Sequence, residues 1–256
     1  MTGMAAVAAI MTALDLPPGA RVDARVPKKM LVEQGAPTSA DKRAIQDGVE
    51  ELQWLAALKP NTVAIPAFTD EAHDYSEIAV IAAIFRADAR ATRLTELIHR
   101  AIPYPVLLLT AGSGGISVSV APKRAAQNEG GKIVVERVVA VGELDPLAPQ
   151  DLDRAFVASL ALKSQPSRDL STVFNGWLAR IEALAAARLS GAYSPSDDGQ
   201  AVERRRAALE AYGALARDIA GLRAKAAREK RLNRRVDLNI EIQRLEQALA
   251  AHKQDL

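Results

Sequence analysis

The last stretch of the chain, Ala201 to Leu256, contains no proline, and proline is the residue that most forcefully interrupts a helix. Leu215, Ile219, Leu222 and Ala226 are spaced four, three and four, and so are Leu238, Ile242, Leu245 and Leu249. Both sets read as apolar seams of the coiled-coil kind. The second seam begins twelve residues after the end of the first, which at about 100° per residue rotates it by roughly 120°. The segment therefore either contacts two surfaces as one long helix or folds back near Leu232-Asn233.

Charge is concentrated in the same region. Between Arg204 and Arg235 there are eleven basic and three acidic residues, a net charge of about +8. The whole chain carries only +2, so the rest is mildly acidic. Such asymmetry points to an electrostatic partner for one part of the molecule. The candidate contacts to nucleic-acid phosphates are Arg223, Arg228, Lys230, Arg231, Arg234 and Arg235. Arg228, Arg231 and Arg235 would share one helical face. Tyr212 is the only aromatic nearby, so base stacking and sequence reading are not expected.

The remainder reads as an α/β (α+β) domain, with a small mixed sheet flanked by helices. The expected division is an α/β domain over 1–190, a linker over 191–200 and a basic, coiled-coil-like helical arm over 201–256. Gly191, Pro195, Asp197, Asp198 and Gly199 give the linker its composition. Met1 to Leu14 is expected to be an Ala-rich helix. It lacks the charged start of a signal peptide and is too short to span a bilayer, which favours a cytoplasmic protein. After the turn Leu16-Pro17-Pro18-Gly19, Val22 to Val32 reads as extended or irregular. Ile45, Val49, Leu52, Leu55 and Leu58 predict a helix from Ser39 to Leu58. Thr62 to Pro66 is expected to be extended, and Glu77 to Phe85 a central strand apolar on both faces. Next come a helix with Leu94, Leu97, Ile98 and Ala101 inside, and a strand over Val106 to Thr110. A hairpin turns at Gly112 to Gly115, and a further strand runs from Lys132 to Val141. Helices over Asp151 to Leu162 and Ser171 to Leu189 complete the domain. Alternation of helix and strand with one hairpin predicts mixed rather than parallel pairing.

Many chemistries lack their residues. With no cysteine, disulfides, thiolate nucleophiles, Cys-ligated zinc and iron–sulfur clusters are excluded. Asp70-Glu71-Ala72-His73 spells a helicase box, but Pro66 and Thr69 interrupt the approach. The only Gly-Lys pair, Gly131-Lys132, lacks the rest of a phosphate loop. The string reads as a polar loop. His73, His99 and His252 are scattered, and His99 is expected at a surface or core edge of its helix. Glu77-Ile78-Ala79 lacks the lysine of a restriction-type nuclease, so Glu77 is expected to pair with a cation at a sheet edge. No catalytic residue, metal or cofactor is assigned.

Four strings in order resemble a known family: Leu16-Pro17 with Arg25-Val26-Pro27-Lys28-Lys29; Trp54 with Leu58-Lys59-Pro60-Asn61-Thr62; Ala101-Ile102-Pro103-Tyr104-Pro105; and Glu229 to Asn239. They look like landmarks of the bacterial domain-of-unknown-function family 4391. The Ala-rich N-terminal helix and Asp70 to Tyr75 depart from it. The resemblance brings no catalytic residues. It implies an accessory role beside superfamily-two helicases and DNA methyltransferases of restriction-like, antiphage islands.

The expectation is thus a non-catalytic adaptor. The seam residues Leu215, Ile219, Leu222, Leu238, Ile242, Leu245 and Leu249 need a covering helix, from the same chain, a copy of it, or a helicase or methyltransferase subunit. The duplex backbone is a candidate partner of the arm, and no membrane is expected. The competing expectations are a metal-dependent nuclease using Glu77 with Asp70 or Asp74, and a homodimeric structural protein.

Overall fold

The computed structural model describes residues 2–126, 133–254 and 256. The chain forms two compact units, Met1–Ile181 and Glu182–Leu256. The first contains α1 (Thr2–Leu14), β1 (Arg21–Arg25), α2 (Lys28–Gly35), α3 (Ser39–Gly48), β2 (Val49–Leu58) and the single turn α4 (Pro60–Val63). It continues through β3 (Phe68–Thr69), β4 (Asp74–Tyr75), β5 (Ile78–Phe85), α5 (Ala91–Ala101), β6 (Val106–Gly112) and β7 (Gly115–Val120). Next come β8 (Lys123–Ala125), β9 (Ile133–Val135), β10 (Val139–Leu144) and α6 (Asp151–Ser159). The division between units falls inside α7 (Leu170–Ser190), and the second unit adds α8 (Gly199–Arg228) and α9 (Leu232–Gln254).

Six strands form a mixed sheet in the order β1-β2-β5-β6-β7-β10. β5 and β6 are parallel because α5 carries the chain back between them, and the other neighbours in this sheet are antiparallel. One face packs on α2, α3 and α5 through Leu31, Ile45, Leu52, Ile81, Leu94, Leu97, Ile98 and Leu108. Each such side chain contributes roughly 1.5–3 kcal/mol on burial. On α1, Val7, Ile10, Met11 and Leu14 are buried, and that helix packs on β5, β6 and β7. The hairpin turn falls at Gly112 and Gly115. Gly115 has φ +91°, and a Cβ there would lie 2.9 Å from the Leu144 carbonyl oxygen, so a side chain is excluded twice over.

The helix expected to reach Leu58 stops at Gly48, and Val49–Leu58 is a strand. Its register against β5 shifts between Val49 and Glu51 and again between Trp54 and Ala56. Each bulge adds one residue to β2. The side chains sharing a face with Phe85, Ala83, Ile81 and Ala79 are consequently Val49, Leu52, Trp54 and Ala57. Leu55 falls in the second bulge and Leu58, opposite Ile78, lies on the other face, so the helix-like run Val49, Leu52, Leu55 and Leu58 does not share one face. Two further corrections come from proline at helix starts, where its fixed φ is pre-organised. Pro27 is the N-cap of α2, inside a segment expected to be extended. Pro60 begins α4, where the backbone N–H of Lys59 donates to the Thr62 hydroxyl at 2.8 Å. The strand expected from Lys132 to Val141 is two strands, β9 and β10, interrupted at 136–138; Lys132 lies outside the described residues. Among the described residues, no helix is long and apolar enough to cross a membrane.

Candidate nucleic-acid interface

The proline-free segment forms two helices. α8 starts at Asp198, whose carboxylate accepts from the backbone N–H groups of Gln200 and Ala201, satisfying two donors at the helix start. It ends at Arg228. The backbone N–H of Glu229 closes the last turn on the Lys225 and Ala226 carbonyls, and the Glu229 carboxylate accepts from the Arg231 N–H at 2.8 Å. The chain reverses through 229–231 and returns as α9. Ile219, Ala226 and Ile242 are buried together, with Leu222, Leu238, Leu245 and Leu249 packed on them. The two predicted seams therefore cover each other within one chain, while Leu215 is half-buried further along α8. Arg223 crosses between the helices to Glu246 at 2.6 Å.

This reversal decides where the cations go. Arg228 is the last residue of α8, Lys230 and Arg231 lie in the turn, and Arg234 and Arg235 stand in the first turn of α9. The shared helical face expected for Arg228, Arg231 and Arg235 does not exist, because the helix is broken between the first two. Convergence at the hairpin tip replaces it. All five side chains are exposed. Lys225, Arg228 and Arg234 border one shallow depression with Glu229, Asp237 and Leu238.

The basic residues divide into engaged and unengaged groups. At the base of the hairpin, Arg206 pairs with Glu182 at 3.1 Å and Glu203 at 2.6 Å, and Arg205 donates to the Ser194 carbonyl. Arg223 is also paired. Arg228, Lys230, Arg231, Arg234 and Arg235 have no carboxylate partner among the described residues. Arg228 and Lys225 sit favourably at the C-terminal end of α8, whereas Arg234 and Arg235 oppose the dipole of α9. Each such opposition costs about 0.3–1 kcal/mol.

α9 also carries an exposed apolar stripe that its seam periodicity conceals in the sequence. Leu232, Val236 and Ile240 are 64%, 47% and 60% exposed. Spaced by four, they form a stripe about 150° around the helix from the Leu238–Leu249 seam. The interval was visible, but the seam had absorbed the apolar periodicity of the segment.

The other motifs resolve into structure. Asp70 to His73 forms the turn of the β3–β4 ribbon. The Asp70 carboxylate accepts from the Ala72 and His73 backbone N–H groups, and these bonds, with the His73 side chain, lower its pKa. Glu77 pairs with Lys59 at 2.9 Å, which raises the lysine's pKa; this is the ion pair expected of that carboxylate. His99 is not at the surface: it is wholly buried, with Nε2 2.9 Å from the Ser119 hydroxyl. Gly131 and Lys132 lie outside the described residues. Among those residues, no three His, Asp or Glu side chains cluster as metal ligands would.

Fold and surface together define a mixed α/β protein carrying a basic helical hairpin. The chain belongs to the family described as Domain of unknown function (DUF4391), whose model matches residues 14–249. No curated protein and no solved structure matches it.

Proposed function

We propose that this protein is a non-catalytic accessory subunit of a DNA-directed bacterial defence system, one that holds a helicase or DNA methyltransferase and touches the duplex backbone through its hairpin tip. The observation that carries the reading is the group of exposed cations at 228–235 that have no carboxylate partner among the described residues. Guanidinium groups bind phosphate oxygens in bidentate fashion, and neutralising phosphates releases counterions whatever the base sequence. Tyr212 lies in the middle of α8, so the tip has no aromatic platform for bases. The coiled-coil-like character of the arm belongs to the same proposal. Its seam is closed by its own chain, which leaves Leu232, Val236 and Ile240 as the apolar stripe for a partner helix.

Fluorescence anisotropy with several duplexes of about 20 base pairs and unrelated sequence tests the nucleic-acid part. Affinities should agree within about threefold, and replacing Arg228, Arg231 and Arg235 with Ala should weaken all of them by at least about tenfold. A strong preference for one sequence, or unchanged affinity in the triple variant, contradicts it.

A further inference from the structure

The side of α9 turned away from α8 is free of charge along most of the helix. Leu232, Val236 and Ile240 are continued towards the C-terminus by Gln243, Gln247 and Ala250, all of them exposed. At 100° per residue the six lie within about 40° of a line through Val236, over about five turns. No charged residue of α9 falls closer than about 80° to that line. A helix face that meets only water ordinarily carries charged and polar residues, so this one has the character of a face that packs on another helix.

The charges beside it specify which helix. Asp237 and Arg244 border the face on one side, Arg235 and Glu246 on the other. Both pairs are centred on the same point, between Ile240 and Glu241. When two copies of α9 pack antiparallel about that point, Asp237 of each copy meets Arg244 of the other. On the opposite flank Arg235 stands level with Glu246, so like charges oppose each other on neither side. Asp237 has no ionic partner in its own chain among the described residues, and Arg244 has only Glu241, at 3.5 Å on the same helix. Glu246 is already held by Arg223, which leaves Arg235 available to phosphate. Side-chain sizes agree as well: Ile240 meets its own counterpart at the centre, and Leu232 meets the small Ala250. A parallel pair would set the two tips side by side, with five cations each at 228–235. The antiparallel pair holds the tips about 30 Å apart, several times the Debye length of about 8 Å and close to the roughly 34 Å of one duplex turn.

We propose that the occupant of this face is α9 of a second copy of the chain, packed antiparallel about Ile240 and bridged twice by Asp237 and Arg244. This rests on the reading above of the stripe as the seat of a partner helix, and it names that helix. The dimer is then the form that meets the duplex and the enzyme subunit, with one duplex turn reaching both tips.

Light scattering, charge exchange and cross-linking of the full chain test it. At about 50 µM the chain should be dimeric, with a dissociation constant below about 20 µM. Asp237→Arg sets arginine against arginine at both bridges and should weaken the dimer by at least about tenfold. Adding Arg244→Asp should restore it to within about threefold of the parent, a rescue that an effect within one helix would not produce because the two positions are seven residues apart. The chain has no cysteine of its own, so single cysteines report orientation. Ile240→Cys should form a disulfide-linked dimer on mild oxidation, since the two Cα atoms would lie within the roughly 4.4–6.8 Å that a disulfide spans. Leu232→Cys should not, because antiparallel packing separates those positions by about 25 Å. A monomer at about 50 µM, no rescue by the double exchange, or cross-linking through Cys at 232 would each overturn the proposal. None of these readouts involves DNA: a dimer that ignores duplex overturns only the nucleic-acid reading, and a monomer that binds duplex overturns only this one.

Discussion

His99 makes the stability of the α/β unit depend on pH in a way that one substitution can isolate. The ring is fully buried, and its Nε2 lies 2.9 Å from the Ser119 hydroxyl. Burial, reinforced by the nearby charge of Lys123, pushes its pKa down to about 3 from 6.5. Between those values the unfolded chain binds a proton that the folded one refuses, so stability falls as pH falls through that window. Linkage over pH 7.5 to 4.5 gives a loss of roughly 2–3 kcal/mol. Asp41 also loses stabilisation on acidification. Its hydrogen bonds to Arg93 and Thr38 hold its pKa at about 2, below 3.8, so its contribution is lost only at lower pH. In His99→Gln, an amide that does not titrate can still reach Ser119. Urea denaturation followed by tryptophan fluorescence, with Trp177 wholly buried as a reporter, should show the parent losing roughly 2–3 kcal/mol more than the variant between the two pH values. Coincident pH dependence in the two proteins would refute the reasoning.

Three other substitutions test the fold and the partner surface. A Cβ on Gly35 would lie 2.7 Å from both the Leu97 carbonyl oxygen and the Ala101 Cβ, so Gly35→Ala should cost about 1–3 kcal/mol in denaturant unfolding; unchanged stability would mean that α2 and α5 are not so closely packed. Arg206→Ala removes the guanidinium facing the buried Glu182 carboxylate and should destabilise the helical unit by about 3 kcal/mol, seen as an earlier loss of helical circular dichroism on heating. Ile240→Glu alters a side chain that is 60% exposed, so melting should move little while co-purification with the proposed helicase or methyltransferase is lost. Retained co-purification removes the stripe from the docking surface, and loss of a dimer on light scattering would assign it to self-association.

What could be read beforehand follows from how local each signal is. The strand Ile78–Phe85, the helix carrying Leu94, Leu97, Ile98 and Ala101, the hairpin at Gly112–Gly115 and the mixed pairing announce themselves within short windows, and the structure has them. Val49–Leu58 misleads because the helix-like run Val49, Leu52, Leu55 and Leu58 divides between two faces and a bulge, which only its partner strand defines. The reversal at 229–231 carries neither Gly nor Pro. It is made by Glu229 bonding its own loop and by the gain from closing the two seams on each other, and only their phase difference hinted at it. Thr110 and Ser117 meet through strand register across the hairpin, and Thr95 comes to them from α5. The visible trace was Ser117 and Ser119 alternating with apolar neighbours, which reads as a solvent face until a helix is known to cover it.

The hairpin tip is the centre of this account, and the salt dependence of duplex binding tests it most directly. Each phosphate neutralised contributes about 0.9 to the slope of log affinity against log salt on B-form DNA. If Arg228, Arg231 and Arg235 each meet one, replacing all three with Ala should make the slope shallower by about three and weaken binding at every salt concentration. An unchanged slope, or no measurable duplex binding by the parent protein at about 50 mM salt, would contradict the nucleic-acid reading and leave the tip to bind an acidic protein surface.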